Sequence, residues 1–146
     1  MLKKIEIKSV AGAVLYTADV DDSIPSGLQL RVALEKAASN RTNLRGAYLR
    51  GADLRGAYLR GAKLADDLTL VGERPVFTLG PIGSRSDTFV GYITNQGLRV
   101  QAGCFFGAPE EFTSALEAEH GTNAFGREYL CALGLLKLHA ALYKGE

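Results

Sequence analysis

The sequence predicts an α+β fold in three successive parts: a β-hairpin with a helix, a short segment of five-residue repeats, and a β-hairpin followed by two helices. Apolar and polar residues alternate near the start, as they do in a half-buried strand. From Thr42 the sequence repeats every five residues, a period that fits neither a helix nor a flat strand. Beyond the repeats, β-rich runs precede two segments with apolar residues at helical spacing. These changes of period predict boundaries at residues 1–40, 41–67 and 68–146.

Composition narrows the classes of protein to consider. The 146 residues are 47% hydrophobic and 23% charged, which is typical of one folded domain or of two small modules. No apolar run is long enough to span a membrane, and the first ten residues lack the apolar core of a signal peptide. We therefore expect a cytosolic protein that has no membrane partner. Cys104 and Cys131 are then expected to be reduced and buried.

The first part is predicted to be a hairpin and a helix. Ile5 and Ile7 alternate with charged residues, and a second run ends near Val20 after a break at Ala11-Gly12. Turn and helix-start residues follow, and apolar residues then recur at helical spacing. This pattern predicts a helix from about Ser26 to Ala38.

The repeats read TNLRG, AYLRG, ADLRG, AYLRG and AKLAD. They resemble the pentapeptide-repeat proteins, and the order of hairpin, helix and short repeat resembles members of that family common on bacteriophages and prophages. The resemblance implies a minimal right-handed quadrilateral β-helix of about one coil, in which positions twenty apart stack, as Asn43 does beneath Lys63. It also implies that the central leucines and the alanines beside them point inward: Leu44, Leu49, Leu54, Leu59, Leu64, Ala47, Ala52, Ala57 and Ala62.

A coil this short leaves unpaired backbone groups at both edges, and these groups must be covered. The helix predicted from Ser26 is the natural cap for one edge. The other edge needs a second element or a second chain. This requirement is one reason to expect a homo-oligomer.

The last part is predicted to contain a strand at Val76–Leu79, a loop at Gly80–Ser86 and a hairpin, Thr88–Thr94 with Leu98–Gly103. A helix is expected to begin near Pro109, which suits a first helical turn, and to end at His120-Gly121. The final helix is apolar on both sides from Tyr129 to Tyr143, so it should pack on two surfaces. A dimer interface or a cap on the repeats would each provide the second surface.

The repeats also concentrate positive charge. Between Arg41 and Lys63 there are six basic residues and one acid, a charge of +5, which leaves −4 elsewhere because the whole chain carries +1. Residues five apart lie on successive sides of a four-sided coil, so the arginines form a girdle and not one patch. A solvated rim, or a contact within an oligomer or with an acidic partner, is favoured over nucleic acid, which needs a continuous basic surface. The predicted interaction surface comprises Arg45, Arg50, Arg55, Arg60, Tyr48 and Tyr58, of which the tyrosines either cover apolar surface or stack on a flat ligand.

The glycine-rich loop is the candidate anion site. Its glycines permit a concave run of backbone N–H groups, and its serines and arginine add hydroxyls and charge. Tyr92 and Arg99 are expected to share its end of the sheet, which would suit a nucleotide-like ligand. A tight connection between strands is the alternative interpretation. The predicted ligand-binding residues are Gly83, Ser84, Arg85, Ser86, Tyr92 and Arg99.

No catalytic or metal-binding constellation is recognisable. Cys104, His120 and His139 lack the spacing of a zinc site, and no base is placed beside a nucleophile. We therefore expect a non-enzyme without a cofactor. The leading hypothesis is a phage-type accessory protein that binds a small anionic, nucleotide-like ligand and sequesters a signal of host defence. The alternative is an inhibitor or scaffold that binds a host protein through the basic repeat surface.

Overall fold

The computed structural model describes residues 1–49, 54, 57–84, 86–103, 105–121 and 123–143. The chain divides into two compact units, Met1–Leu70 and Val71–Glu146. Each unit mixes strands with helices, as the predicted α+β class requires. Within the described residues, no helix is long and apolar enough to cross a membrane.

The first unit begins with the predicted hairpin and helix. Strands β1 (Leu2–Lys8) and β2 (Val14–Asp21) pair in antiparallel register, and helix α1 (Ser26–Ser39) packs against both strands. The apolar positions of this helix supply its buried face, which includes Ala33 and Leu34. Ile7 is fully buried, as the alternating pattern predicts.

The central leucines of the repeats point inward where the structure describes them. Leu44, Leu49, Leu59 and Leu64 are buried, and Leu54 is half-buried. Asn43 and Lys63 form a parallel bridge, and the N–H of Leu44 donates to the carbonyl of Lys63 at 2.8 Å. The predicted stacking of positions twenty apart is therefore confirmed at this pair. The described residues do not close into a solenoid, and Ala52 lies outside them.

Both ends of the repeat segment are covered within the chain. At the first repeats, the N–H of Tyr48 donates to the carbonyl of Lys8, and the N–H of Val10 donates to the carbonyl of Gly46. The Glu35 carboxylate accepts the N–H of Tyr58 at 2.7 Å. The helix was expected to cap this edge alone, but the end of β1 also covers it. A strand end has unpaired backbone N–H and C=O groups that can bind the repeats, whereas the backbone groups along the side of a helix are already paired.

The last repeats are covered by the chain that follows them. Strands β3 (Lys63–Ala65) and β4 (Leu68–Thr69) pair, and Leu70 exchanges hydrogen bonds with Gly61 and Ala62. These bonds satisfy backbone groups that were expected to require a second chain. Uncovered repeat edges are therefore not a reason for self-association at the described positions.

The second unit is a four-stranded antiparallel sheet with two helices. The strands are β5 (Val76–Ile82), β6 (Asp87–Thr94), β7 (Gly97–Ala102) and β8 (Phe105–Gly107), paired in chain order. Helices α2 (Pro109–Glu119) and α3 (Ala124–Tyr143) follow. The predicted hairpin corresponds to β6 and β7, whereas β8 was not predicted. Three residues are too few to produce a clear alternation in the sequence.

The glycine-rich loop is shorter than expected, and this corrects the sequence prediction. Gly80, Pro81 and Ile82 belong to β5, so the connection to β6 comprises only residues 83–86. Proline is tolerated here because β5 is an edge strand and its register with β6 shifts between Leu79 and Ile82.

The core of the second unit lies between the sheet and the two helices. Phe89, Val100 and Leu136 are fully buried and pack with Phe112 and Leu116. The sheet residues Phe89 and Val100 alternate with residues of the opposite face, so one face of the sheet supplies this core.

Candidate functional site

The repeat surface, defined as Arg45, Tyr48, Tyr58 and Arg60, is the candidate interaction site. All four side chains are exposed, with 71% of Tyr58 and 44% of Tyr48 accessible to solvent. Arg50 and Arg55 lie outside the described residues. The tyrosines were expected either to cover apolar surface of the chain or to stack on a flat ligand. The ring of Tyr58 faces solvent, so it does not cover apolar surface of the chain.

The backbone beneath these tyrosines is held by hydrogen bonds. The Tyr48 N–H donates to the carbonyl of Lys8 at 2.7 Å, and the Tyr58 N–H donates to the Glu35 carboxylate. A carboxylate acceptor gives a stronger hydrogen bond than a neutral carbonyl does. The two aromatic side chains are therefore exposed on an ordered backbone.

The repeats carry an excess of basic residues. Lys63 pairs with Asp66 at 3.2 Å. Arg45 and Arg60 are exposed and lie in the first and fourth five-residue repeats. Because the segment from Arg41 to Lys63 contains one acidic residue against six basic ones, its surface attracts acidic groups.

The turn at residues 83–86 already binds a carboxylate of its own chain. The N–H of Gly83 donates to Oε1 of Glu128 in α3 at 2.6 Å. Gly83 has a φ of 77°, and a Cβ added there would lie 2.0 Å from the hydroxyl oxygen of Tyr129. Only glycine fits this position. The backbone donor expected to bind an external anion is thus satisfied internally.

The other loop residues differ in their placement. Ser84 lines a small cavity, and Ser86 is exposed with a φ of 49°. Arg85 lies outside the described residues. The structure therefore brings Gly83 and Ser84 next to α3 and leaves Ser86 at the surface.

Tyr92 and Arg99 lie at the opposite end of the sheet from this turn, so the expectation of a shared end is wrong. Tyr92 and Arg99 are paired across β6 and β7, close to the turn at Asn95. Asp87 begins β6 beside the glycine turn, and the five-residue separation from Tyr92 corresponds to about 17 Å of strand. An antiparallel hairpin places its turn at the far end of the shared strand.

The environment of Tyr92 also opposes a ligand contact. Its side chain is buried, and its hydroxyl donates to Oε1 of Gln101 at 3.1 Å. Burial raises the pKa of Tyr92, so the hydroxyl stays protonated at neutral pH. Arg99 donates to the carbonyl of Leu98 at 2.8 Å. Both residues therefore have partners within the sheet.

A cavity of about 60 Å³ lies between the glycine turn and the helices. His120 lines it with its side chain 10% exposed, and its Nε2 is 3.9 Å from a Glu119 oxygen. This volume holds a few water molecules. It is smaller than the roughly 300–1,000 Å³ of small-molecule sites. The other polar residues of its lining are Ser84, Asp87, Glu119 and Tyr129.

The remaining candidates for chemistry lie apart from one another. His120 caps the C-terminus of α2, and the Nε2 of His139 lies 3.0 Å from the carbonyl oxygen of Arg74. Cys131 is exposed on α3, which corrects the expectation that it is buried, and Cys104 lies outside the described residues. Among the residues that the structure describes, no group of three metal-ligating side chains is present.

Sequence reasoning missed the two carboxylates that organise these regions. Glu35 binds a repeat residue 23 positions away, and Glu128 binds the glycine turn 45 positions away. Both residues have the ordinary sequence context of a helix surface. No local signal marks such partners, because the pairing depends on how distant segments meet.

The inward leucines, the five-residue period and the bridge between Asn43 and Lys63 define a repeat segment in the first unit. The family model described as Pentapeptide repeats (8 copies) matches residues 31–66, so the chain contains pentapeptide repeats over this segment. The first nine matched residues, 31–39, form the second half of α1. No curated protein and no solved structure matches the chain.

Proposed function

We propose that this chain is a non-enzymatic interaction protein of the bacterial cytosol that binds an acidic protein partner through its repeat surface. The observation that carries this proposal is the exposure of Tyr58, 71% accessible, beside an exposed Arg60. Tyrosine and arginine are the side chains most enriched among residues that dominate binding energy at interfaces.

The proposal includes the architecture of the repeats. We propose that they form about one coil of a right-handed four-sided β-helix. The bridge between Asn43 and Lys63 supports this architecture, since it joins residues one coil apart. The inward leucines support it as well, because each side of such a coil contributes one. Leu44 and Leu64 are buried on the same side, one coil apart, Leu49 and Leu59 are buried on two other sides, and Leu54 on the fourth side is half-buried. The role of the coil is to hold outward side chains on a backbone that is ordered before binding.

The positive charge of the repeat segment indicates the chemical class of the partner. Arg45 and Arg60 point away from the repeat core, and the segment around them carries an excess of five positive charges. Oppositely charged surfaces accelerate association and favour one orientation of the complex. An acidic protein surface fits this pattern better than nucleic acid, because arginines five residues apart face different directions around the coil.

Sequestration of a small anionic, nucleotide-like ligand is the competing proposal, and the geometry favours it less. The donor of Gly83 is satisfied by Glu128, and Tyr92 is buried at the other end of the sheet. The cavity beside Ser84 is too small for a nucleotide and includes two carboxylates, those of Asp87 and Glu119, in its lining. The ligand hypothesis stays a prediction with its own test below.

The interaction function is tested by quantitative co-purification from bacterial lysate with purified variants. Tyr58→Ala removes the exposed ring, and Arg60→Glu reverses one charge of the repeat surface. Lys3→Glu makes the same charge reversal on an exposed residue of β1 and serves as the matched control. We expect a partner that is retained by the wild type and by Lys3→Glu and is lost from both repeat variants.

The dependence on salt provides the second readout. Binding that relies on exposed charges weakens when salt shortens the Debye length, so the partner should be released at high ionic strength. An identical set of bound proteins for the wild type and Arg60→Glu, at low and high salt alike, would contradict the proposal. Melting curves of each variant establish that the fold is intact.

A further inference from the structure

Helix α3 has a second apolar face that the described part of the chain leaves in solvent. Its buried residues, among them Tyr129, Leu133 and Leu136, belong to the core of the second unit. Each residue of an α-helix is rotated by 100° from the one before it, so residues that alternate in steps of four and three along the sequence form a stripe on the opposite side of the helix. This stripe, the α3 stripe, consists of Arg127, Cys131, Gly134, Leu138 and Ala141, all of them exposed.

Leucines flank the α3 stripe on both sides. Leu138 within the stripe is 58% exposed, and Leu142 beside it is 69% exposed. Leu130 and Leu135 are also among the exposed large hydrophobic residues. An apolar stripe with spacings of four and three is the pattern of a helix that packs along another helix.

Gly134 lies at the centre of the stripe, and no close neighbour in the described part of the chain accounts for a glycine there. It occupies the middle of a 20-residue helix, where glycine is a poorer helix former than alanine. A Cβ added there would meet no atom within 4 Å. Close neighbours explain Gly91, which faces Leu136, and Gly126, whereas Gly27 in the first turn of α1 also meets open space. Gly134, flanked in the stripe by Cys131 and Leu138, instead leaves room for a neighbour outside the chain.

The exposed leucines of α3 supply most of the area that a pair of chains needs. The accessible fractions of Leu130, Leu135, Leu138 and Leu142 correspond to roughly 400 Å² of apolar surface, within the range of the largest patches on monomeric proteins. If two such faces cover each other, about 800 Å² of leucine surface is buried, and the stripe residues between the leucines bring the total toward the roughly 1,000 Å² of a specific interface. A second copy of this chain therefore fits the surface by area as well as by shape.

We propose that α3 packs against α3 of a second copy in an antiparallel pair that crosses at Gly134. Small residues at the crossing let the two backbones approach, and the flanking leucines fill the space on either side. Charge selects the antiparallel arrangement, because a parallel pair would place the two Arg127 side chains against each other. Around a two-fold axis at Gly134, Arg127 instead lies beside Ala141 of the partner subunit.

Light scattering of the full chain at micromolar concentration tests the pairing. We expect twice the mass of the 15.6 kDa chain. Leu138→Glu should weaken dimerisation by about a hundredfold, because it places an unpaired carboxylate in an apolar interface. Ser114→Glu introduces the same charge on the exposed surface of α2 and should leave the dimer intact. A monomeric wild type would overturn the proposal, whatever else binds this face.

Gly134→Leu separates loss of the interface from loss of the fold. Leucine is a better helix former than glycine and meets open space in the single chain, so the monomer should melt at the same temperature or higher. The bulky side chain should nevertheless abolish the dimer. A Gly134→Leu protein that remains dimeric would exclude a close crossing at this position.

Disulfide trapping tests the orientation in a background where Cys104 and Cys131 are replaced by serine. Arg127→Cys mixed with Ala141→Cys should form a mixed disulfide, since an antiparallel crossing at Gly134 places these two positions together. Oxidation of Arg127→Cys to a dimer of itself would show a parallel pair and overturn the arrangement. Because α3 and the repeat surface are tested by different variants, this proposal and the proposed function can fail independently.

Discussion

Gly91 in the middle of β6 is the position where the packing of α3 on the sheet can be tested most directly. A Cβ added at Gly91 would lie 2.3 Å from Cδ1 of Leu136, which is fully buried in the core of the second unit. Gly91→Ala therefore forces either Leu136 or the helix to move. Overpacking of this kind costs about 2 kcal/mol. For a unit of this length, that cost should lower the melting temperature by about 10 °C.

The double variant that combines Gly91→Ala with Leu136→Ala provides the stronger test. Leu136→Ala alone should cost about 3 kcal/mol, because it deletes a buried side chain and leaves a cavity. In the double variant the new methyl group at Gly91 enters that cavity without a clash, so the total cost should stay near 3 kcal/mol. The two substitutions are thus coupled by about 2 kcal/mol, as residues in direct contact often are.

Far-UV circular dichroism of the full chain provides the assay, since the sequence contains no tryptophan for fluorescence. Gly27→Ala is the control, because a Cβ added at Gly27 in α1 meets open space. This control should be neutral or slightly stabilising. Additive losses from Gly91→Ala and Leu136→Ala would refute the direct packing of α3 on β6.

Three further predictions concern single sites. Glu35→Ala should cost about 1–2 kcal/mol in thermal melts, since the N–H of Tyr58 loses its acceptor, whereas Glu35→Gln should cost less; equal losses would contradict this. The backbone N–H of Ser23 donates to the Asp21 carboxylate and lowers the pKa of Asp21 below 3.8. Asp21 therefore stabilises the fold above its pKa in the unfolded state, and this stability is lost as the pH falls through its pKa in the folded state. An NMR titration checks this pKa, and acid melts of Asp21→Asn should lack that pH dependence. A thermal-shift screen of cyclic dinucleotides, cyclic trinucleotides and ADP-ribose derivatives should show no selective shift. A bound ligand at a hundredfold excess over Kd would add about 2.7 kcal/mol and restore the ligand hypothesis.

Periodicity and turn residues predicted most of the local elements of this fold, although not the three-residue strand β8. The alternation around Ile5 and Ile7 predicts the first hairpin, and the segment between Thr94 and Gly97 connects β6 to β7 as its turn residues indicate. The five-residue period, interpreted through its family resemblance, predicts both the inward leucines and the bridge between Asn43 and Lys63. These predictions are correct because each one depends on side chains that are close together in the sequence or that repeat at a constant interval.

The prediction that the glycine turn, Tyr92 and Arg99 form one ligand site was wrong for a different reason. The glycine turn and the pair of Tyr92 and Arg99 are each formed largely as expected, but they occupy opposite ends of β6. Glycine and serine in a turn indicate only that backbone donors can converge. They do not indicate whether a carboxylate of the same chain, here that of Glu128, will bind the donor first.

The sequence by itself determined which leucines of the repeats face inward, where the repeats lie and that α3 is apolar on two sides. Only the tertiary structure decided that the end of β1 covers the first repeats, that Glu35 binds the fourth repeat, that Glu128 occupies the glycine turn and that Gly134 meets open space. Those outcomes depend on hydrogen-bond partners and close contacts between segments far apart in the chain. Local patterns specify which groups need a partner, whereas the meeting of distant segments determines which partner each group receives.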